Sequence, residues 1–200
     1  MPGKIAIFGG TFNPIHNGHL EISKAALEEY DLSEVIFMPN GNPPHKKGVP
    51  ILDARLRLKM VELAIDGIDG FSVSDYEVNR KEPSYTVDTN RAMKKIYGCQ
   101  PFFIIGADSL YNLNSWKTPE ILIKECRFIV ADRNCDDGDD IAKECDRLNA
   151  LGGDFSRLTM EKYDVTSTQL RNSIKNGIDC NHLIPHKVMD FIISNKLYTS

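Results

Sequence analysis

Apolar residues recur along the chain in two periods. Short runs of branched and aromatic residues at 4–8, 34–39, 71–74, 102–105 and 127–131, with a shorter one at 158–160, read as strands. Phe102-Phe103-Ile104-Ile105 is the most apolar, which predicts a central strand covered on both faces. Between the runs the spacing becomes helical. Ile22, Ala26, Leu27 and Tyr30 share one side of a helix predicted over 20–30, with Glu21, Lys24 and Glu28 opposite. Asp53 caps a second, ending near 65, whose apolar positions are Leu56, Met60, Leu63 and Ala64. A third opens within 83–89, capped by Ser84 or Thr86, and ends at Tyr97. Others are predicted over 141–151, from Thr166, where Thr166 and Gln169 have capping-box spacing, and from Pro185 to about Lys196. Strand and helix alternate throughout. The pattern predicts an α/β protein, a doubly wound parallel sheet in three α/β/α layers with right-handed crossovers. Residues 1–200 read as a single domain, with 165–200 as a C-terminal helical segment packed on it.

The turn after the first strand carries the densest chemistry. Gly9-Gly10-Thr11-Phe12-Asn13-Pro14-Ile15-His16-Asn17-Gly18-His19 joins strand to helix through glycines. Such a turn brings main-chain N–H groups and the positive end of a helix to one place, which suits a phosphate. His16 and His19 are three apart, so both rings can face one side of the first helical turn. Gly18 removes a side chain where a phosphate would approach. Other segments follow strands or open helices and would gather at the carboxyl edge of the sheet. The loop from Asn40 to Gly48 holds His45 and Lys46 and is either solvated or a phosphate contact. Gly106-Ala107-Asp108-Ser109 suits a capped turn, or a ligand lying close to backbone with Asp108 accepting ribose hydroxyls. Trp116, the only tryptophan, reads as core or as a stacking platform. Ser167, Thr168 and Arg171 lie within one turn, so two hydroxyls, free N–H groups and a guanidinium point one way.

Charge and cysteine content narrow the field. A net charge of −4 makes a poor surface for duplex nucleic acid. No apolar run approaches the roughly 18 residues of a membrane span, and no leader pattern precedes the first strand, so the expected location is cytoplasmic. The five cysteines are odd in number and form no C-x-x-C pair, which argues against a disulfide scaffold or a zinc ribbon. Cys126 and Cys145 are expected in the core. His182 and His186 flank Pro185 and converge with no third ligand in sequence. The acidic cluster at 136–140 reads as a solvated helix start, not a calcium loop.

The 9–19 segment resembles the signature of the nucleotidyltransferases with an H-x-G-H motif, and within them the bacterial nicotinate-nucleotide adenylyltransferases. The likeness covers nearly the whole chain. It includes P-P-H-K at 43–46, P-S-Y-T at 83–86, G-A-D-x-L at 106–110 followed by Trp116, and S-T-x-x-R at 167–171. Two positions depart from it. Asn13 stands where most bacterial members carry Asp, and Lys117 stands where many carry a second aromatic. The resemblance implies a Rossmann-like nucleotidyltransferase fold. It implies transfer of the adenylyl group of ATP to nicotinate mononucleotide, giving nicotinate adenine dinucleotide (deamido-NAD) and pyrophosphate in NAD biosynthesis.

By the same resemblance, His16, His19 and Arg171 are catalytic. Gly9, Gly10, Thr11, Phe12, Gly18, Lys46, Gly106, Asp108, Arg133, Ser167 and Thr168 join them in binding ATP and its phosphates. Asn40, Lys46, Tyr85, Thr86, Asp108 and Trp116 bind the nicotinate nucleotide. Free N–H groups at the Tyr85–Thr86 helix start favour a carboxylate over a neutral amide. Mg²⁺ would arrive on the ATP phosphates, with no tightly bound protein-ligated metal. The partners implied are small molecules, neither nucleic acid nor membrane, and an oligomer is left open. Adenylyl transfer fits a set without a Ser-His-Asp arrangement or paired catalytic carboxylates, because the attacking phosphate oxygen is already ionised and needs no base. Rival readings are a nucleotide sensor of the same fold, a pantetheine-phosphate adenylyltransferase and a class I aminoacyl-tRNA synthetase core. The last is disfavoured by the short acidic chain and the lack of a K-M-S-K-S element.

Overall fold

Six strands form one parallel sheet in the computed structural model, which describes residues 3–41, 51–80, 82–132, 138–160, 163 and 165–199. They are β1 (Ile5–Gly10), β2 (Glu34–Pro39), β3 (Phe71–Val73), β4 (Phe102–Gly106), β5 (Arg127–Asp132) and β6 (Asp154–Thr159). Their order is β3-β2-β1-β4-β5-β6, with every neighbouring pair parallel. The order reverses between β1 and β4, which pair through Ala6–Phe102, Ile7–Phe103 and Phe8–Ile104. This is the doubly wound arrangement expected from the sequence, with β4 central. Strand β6 begins four residues before its predicted start. It is an edge strand on which only Phe155 and Leu158 are buried, and Ser156 and Arg157 interrupt the apolar signal.

Alternation along the strands sorts side chains to two faces. Ala6, Phe8, Val35, Phe37, Phe102 and Ile104 pack with α1 (Asn17–Glu29), α2 (Ala54–Ile65), α7 (Ser167–Lys175) and α8 (His186–Ser194). Ile7, Met38, Phe103, Ile105, Phe128 and Val130 pack with α3 (Thr86–Tyr97), α4 (Ala107–Tyr111), α5 (Pro119–Glu125) and α6 (Gly138–Ala150). Cys126 and Cys145 lie in the second cluster as expected, and burial pushes their thiols up to about 12 and about 11. No helix among the described residues is long and apolar enough to cross a membrane.

The caps bear out two expectations and correct one. Asp53 accepts from the Arg55 N–H at 2.8 Å. Thr166 and Gln169 close a reciprocal capping box, at 3.2 Å for Gln169 N–H to Thr166 Oγ1 and 2.9 Å for Thr166 N–H to Gln169 Oε1. At the start of α3, however, neither Ser84 nor Thr86 caps. The N-cap is Tyr85, and no side chain among the described residues bonds the first turn in that role.

Candidate active site

A cavity of about 730 Å³ opens at the carboxyl ends of β1 and β4, where the strand order reverses. Gly9 and Gly106 line it from the two strands. A Cβ at either position would meet nothing within 4 Å, so the missing side chains leave room beside the main chain. Gly10 lines the cavity too and also serves packing, because its Cβ would lie 2.9 Å from the Phe12 ring. Phe12 has φ +47°, a left-handed conformation uncommon for a bulky residue. That bend folds its ring into the core, edge-on to Phe8 at 5.6 Å and to His19 at 5.1 Å.

The two histidines lie together as the spacing predicts, with ring centroids 3.7 Å apart. His16 is the N-cap of α1, and its backbone N–H donates to His19 Nδ1 at 3.2 Å. Their environments differ. His19 is half-buried and forms part of the cavity wall, whereas His16 is 1% exposed and lies behind it. Gly18 corrects the sequence reading. Its Cβ would meet Val165 Cγ1 at 3.0 Å, Tyr163 Cδ1 at 3.1 Å and His16 Nδ1 at 3.2 Å. The missing side chain admits the C-terminal segment, not a phosphate.

That segment clamps the turn. Ser167 Oγ donates to the Pro14 carbonyl at 2.9 Å, and Arg171 donates to the Asn13 carbonyl at 2.8 Å and to Thr168 Oγ1 at 3.1 Å. Tyr198 adds a hydroxyl that donates to Asn13 Oδ1 at 2.8 Å. The beginning and far end of the chain therefore meet, as expected. Ser167, Thr168 and Arg171 direct these donors to backbone and to each other and do not line the cavity.

Residues 7–173 match the cytidylyltransferase-like family. A Clostridium tetani protein named probable nicotinate-nucleotide adenylyltransferase is 40% identical over 98% of both chains. One of the same name from Clostridium acetobutylicum is 38% identical, again over 98% of each. The chain belongs to the nicotinate-nucleotide adenylyltransferase family. Among solved structures, the nicotinic acid mononucleotide adenylyltransferase of Plasmodium falciparum, in complex with NaAD, shares the fold. It has a TM-score of 0.81 at 20% identity, over 98% of this chain and 97% of that one.

The cavity of this family member also gathers Thr11, Asn40, Tyr85, Thr86, Asp108 and Trp116, all named from sequence. Trp116 is half-buried, packs on the second core cluster and also lines the cavity. Lys46 and Arg133, with the P-P-H-K segment, lie outside the described residues.

Arg57 is the residue the sequence reading missed. It lies on the buried side of α2, 1% exposed, and its hydrogen bonds among the described residues all go to carbonyl oxygens. It donates to Leu52 O at 3.0 Å, Thr11 O at 2.7 Å, Asn40 O at 2.6 Å and Asn40 Oδ1 at 3.2 Å. One guanidinium thus ties the end of β1 to the end of β2. Burial pulls its pKa below the ordinary value, but the group remains a cation. Arg57 sits between Arg55 and Lys59 in an alternating run, so nothing in the sequence alone marks it, and not its neighbours, as the one that turns inward. Glu77 was missed as well. It lines the cavity, accepts from Thr89 Oγ1 at 2.6 Å, and has its pKa raised by burial.

Proposed function

We infer that this chain transfers the adenylyl group of ATP to nicotinate mononucleotide, giving nicotinate adenine dinucleotide and pyrophosphate in NAD biosynthesis. A phosphate oxygen of the mononucleotide attacks the α-phosphorus of ATP. The bond from that phosphorus to the bridging oxygen breaks, and its electron pair leaves with pyrophosphate. The nucleophile is ionised at neutral pH, so the protein's work is alignment of two anions and stabilisation of the charge that builds on the phosphoryl oxygens.

The observation that carries this reading is the pair of open glycines, Gly9 and Gly106, on either side of the strand-order reversal, with His19 in the wall between them and the α1 N-terminus. They leave space for phosphates against main chain. In this reading His19 meets the α-phosphate, and His16 holds its ring by stacking. Thr11, Lys46 and Arg133 belong to the ATP side. Ser167 and Arg171, with Thr168 accepting from Arg171, serve it by holding the Pro14 and Asn13 carbonyls, their donors turning to ATP phosphates only if these bonds are exchanged. Asp108 takes ribose hydroxyls, and Trp116 stacks on the pyridine. The uncapped start of α3 at Tyr85 and Thr86 receives the nicotinate carboxylate. Mg²⁺ enters as part of the Mg·ATP substrate. Residues 1–200 act as one domain in the cytoplasm.

The test is pyrophosphate release from ATP with nicotinate mononucleotide, nicotinamide mononucleotide and phosphopantetheine in parallel. Release fastest with the nicotinate form is expected. No release with any acceptor would identify a nucleotide sensor, and release with phosphopantetheine alone would identify the other adenylyltransferase.

A further inference from the structure

Lys117 is one of the two places where this chain departs from the pattern it resembles, and the structure gives it a definite position. It follows Trp116 in the cavity wall and precedes α5. Its ammonium lies 4.2 Å from the centroid of the Tyr85 ring and 3.0 Å from Asp88 Oδ2. The cation therefore rests on the residue that caps α3 and against the one carboxylate in the first turn of that helix. Tyr85, Thr86, Trp116 and Lys117 line the same cavity.

The charges around this helix start can be weighed. The first N–H groups of α3 have no intrahelical acceptor and attract an anion. Asp88 opposes that attraction, because a carboxylate in the first turn repels a second carboxylate. Lys117 draws the Asp88 carboxylate into an ion pair and presents its own ammonium over the Tyr85 ring. Without Lys117, an incoming carboxylate would meet an unpaired Asp88 beside a cavity wall that already holds Glu77 and Asp108. A neutral carboxamide would feel neither charge strongly. Both side chains are partly exposed, at 44% for Lys117 and 41% for Asp88, so the pair has little weight in holding the fold together.

We propose that Lys117, paired with Asp88, is a specificity-determining residue that biases this site toward a pyridine bearing a carboxylate over one bearing a carboxamide. The inference rests on the functional reading above and adds to it a residue and a sign. The two partners should act in opposite directions, which a merely structural ion pair would not do.

The experiment measures kcat and KM for nicotinate and nicotinamide mononucleotides with saturating Mg·ATP. The variants are Lys117→Met, Lys117→Arg and Asp88→Asn. In Lys117→Met the ratio of kcat/KM for the nicotinate form over the nicotinamide form falls about tenfold, carried by KM of the nicotinate form. Lys117→Arg restores most of the ratio. Asp88→Asn raises the ratio above wild type. All these differences shrink as salt is increased. An unmoved ratio in Lys117→Met, or a shift in the same direction in Asp88→Asn, overturns the inference while the wild-type activity stands. A wild-type chain that makes no dinucleotide from either substrate overturns the functional reading, and this inference with it.

Discussion

The Tyr198 hydroxyl donates to Asn13 Oδ1 at 2.8 Å, joining two residues 185 apart in sequence. Asn13 is 4% exposed, and its carbonyl is taken by Arg171, so both of its oxygens are satisfied from the C-terminal segment. Burial pushes the Tyr198 hydroxyl above its ordinary pKa, with Arg171 and Arg57 pulling against it, so it stays a donor across the physiological range. Tyr198→Phe leaves a buried amide oxygen without its donor. The expected outcome is a loss of about 1–3 kcal/mol in a urea melt and a higher KM for ATP. A variant that melts with the wild type would show that this bond does not hold the turn.

Arg57 offers a sharper case, because one side chain serves acceptors on two strand ends. Arg57→Met leaves the Thr11, Asn40 and Leu52 carbonyls short of donors and should cost at least about 3 kcal/mol. Arg57→Lys keeps the charge but cannot span the same oxygens. It should fold, melt lower, and lose about tenfold in kcat/KM as the ends of β1 and β2 drift apart. Kinetics and thermal melts of the two variants side by side separate charge from geometry. Equal activity in Arg57→Lys and wild type would deny the bracing role.

The stacked histidines should behave differently despite their contact. His19 faces the cavity, so His19→Ala should cut kcat by about 10²–10³ and leave the melting temperature near that of the wild type. His16 is buried behind it, and His16→Ala should lower both, since it opens a void and frees the His19 ring. Melting curves and single-turnover rates check this. Near-normal turnover in His19→Ala would remove it from the reaction.

Stability should fall at alkaline pH. Burial raises the thiols of Cys126 and Cys145 to about 12 and about 11 from 9.0, and raises Tyr30 to about 12 from 10.0. Above pH 9 the unfolded chain begins to release these protons while the folded chain keeps them. The unfolded state then binds fewer protons, and the slope of unfolding free energy with pH is negative. The stabilising contribution is whole below pH 9 and declines through 11 to 12. Urea midpoints at pH 8, 9, 10 and 11 test this, and Cys126→Ala should flatten part of the decline. A midpoint that rises over that range would contradict it.

Most of the sheet was legible because its strands are buried on both faces and so read as unbroken apolar runs. β6 was partly hidden, since an edge strand keeps polar residues such as Ser156 and Arg157. Helix α5 left no signal, because its seven residues are too few to show a helical period. The 9–19 turn was legible through its glycines and histidines, but the division of labour was not. Gly18 and Gly10 look alike on paper to Gly9, and only the neighbours of an imagined Cβ tell packing from ligand room. Arg57, Glu77 and Tyr198 were illegible for one common reason. Arg57 and Tyr198 act through partners 46 and 185 positions away, and Glu77 through Thr89 across the loop into α3, and local spacing carries no record of such pairs.

The clamp on the turn has a consequence for how the protein is made. The carbonyls of Asn13 and Pro14 find their donors at Arg171 and Ser167, and the Asn13 side chain finds its donor at Tyr198. All six strands lie within residues 5–159, and the donors that fasten the turn come after them in the chain. α7 and α8 share one face of the sheet with α1 and α2, and α7 with Tyr198 fastens the turn. The turn therefore cannot be fastened until the segment that follows every strand has docked. Until it docks, part of the apolar face that α1 and α2 leave open stays bare, a surface of the kind that folding helpers recognise.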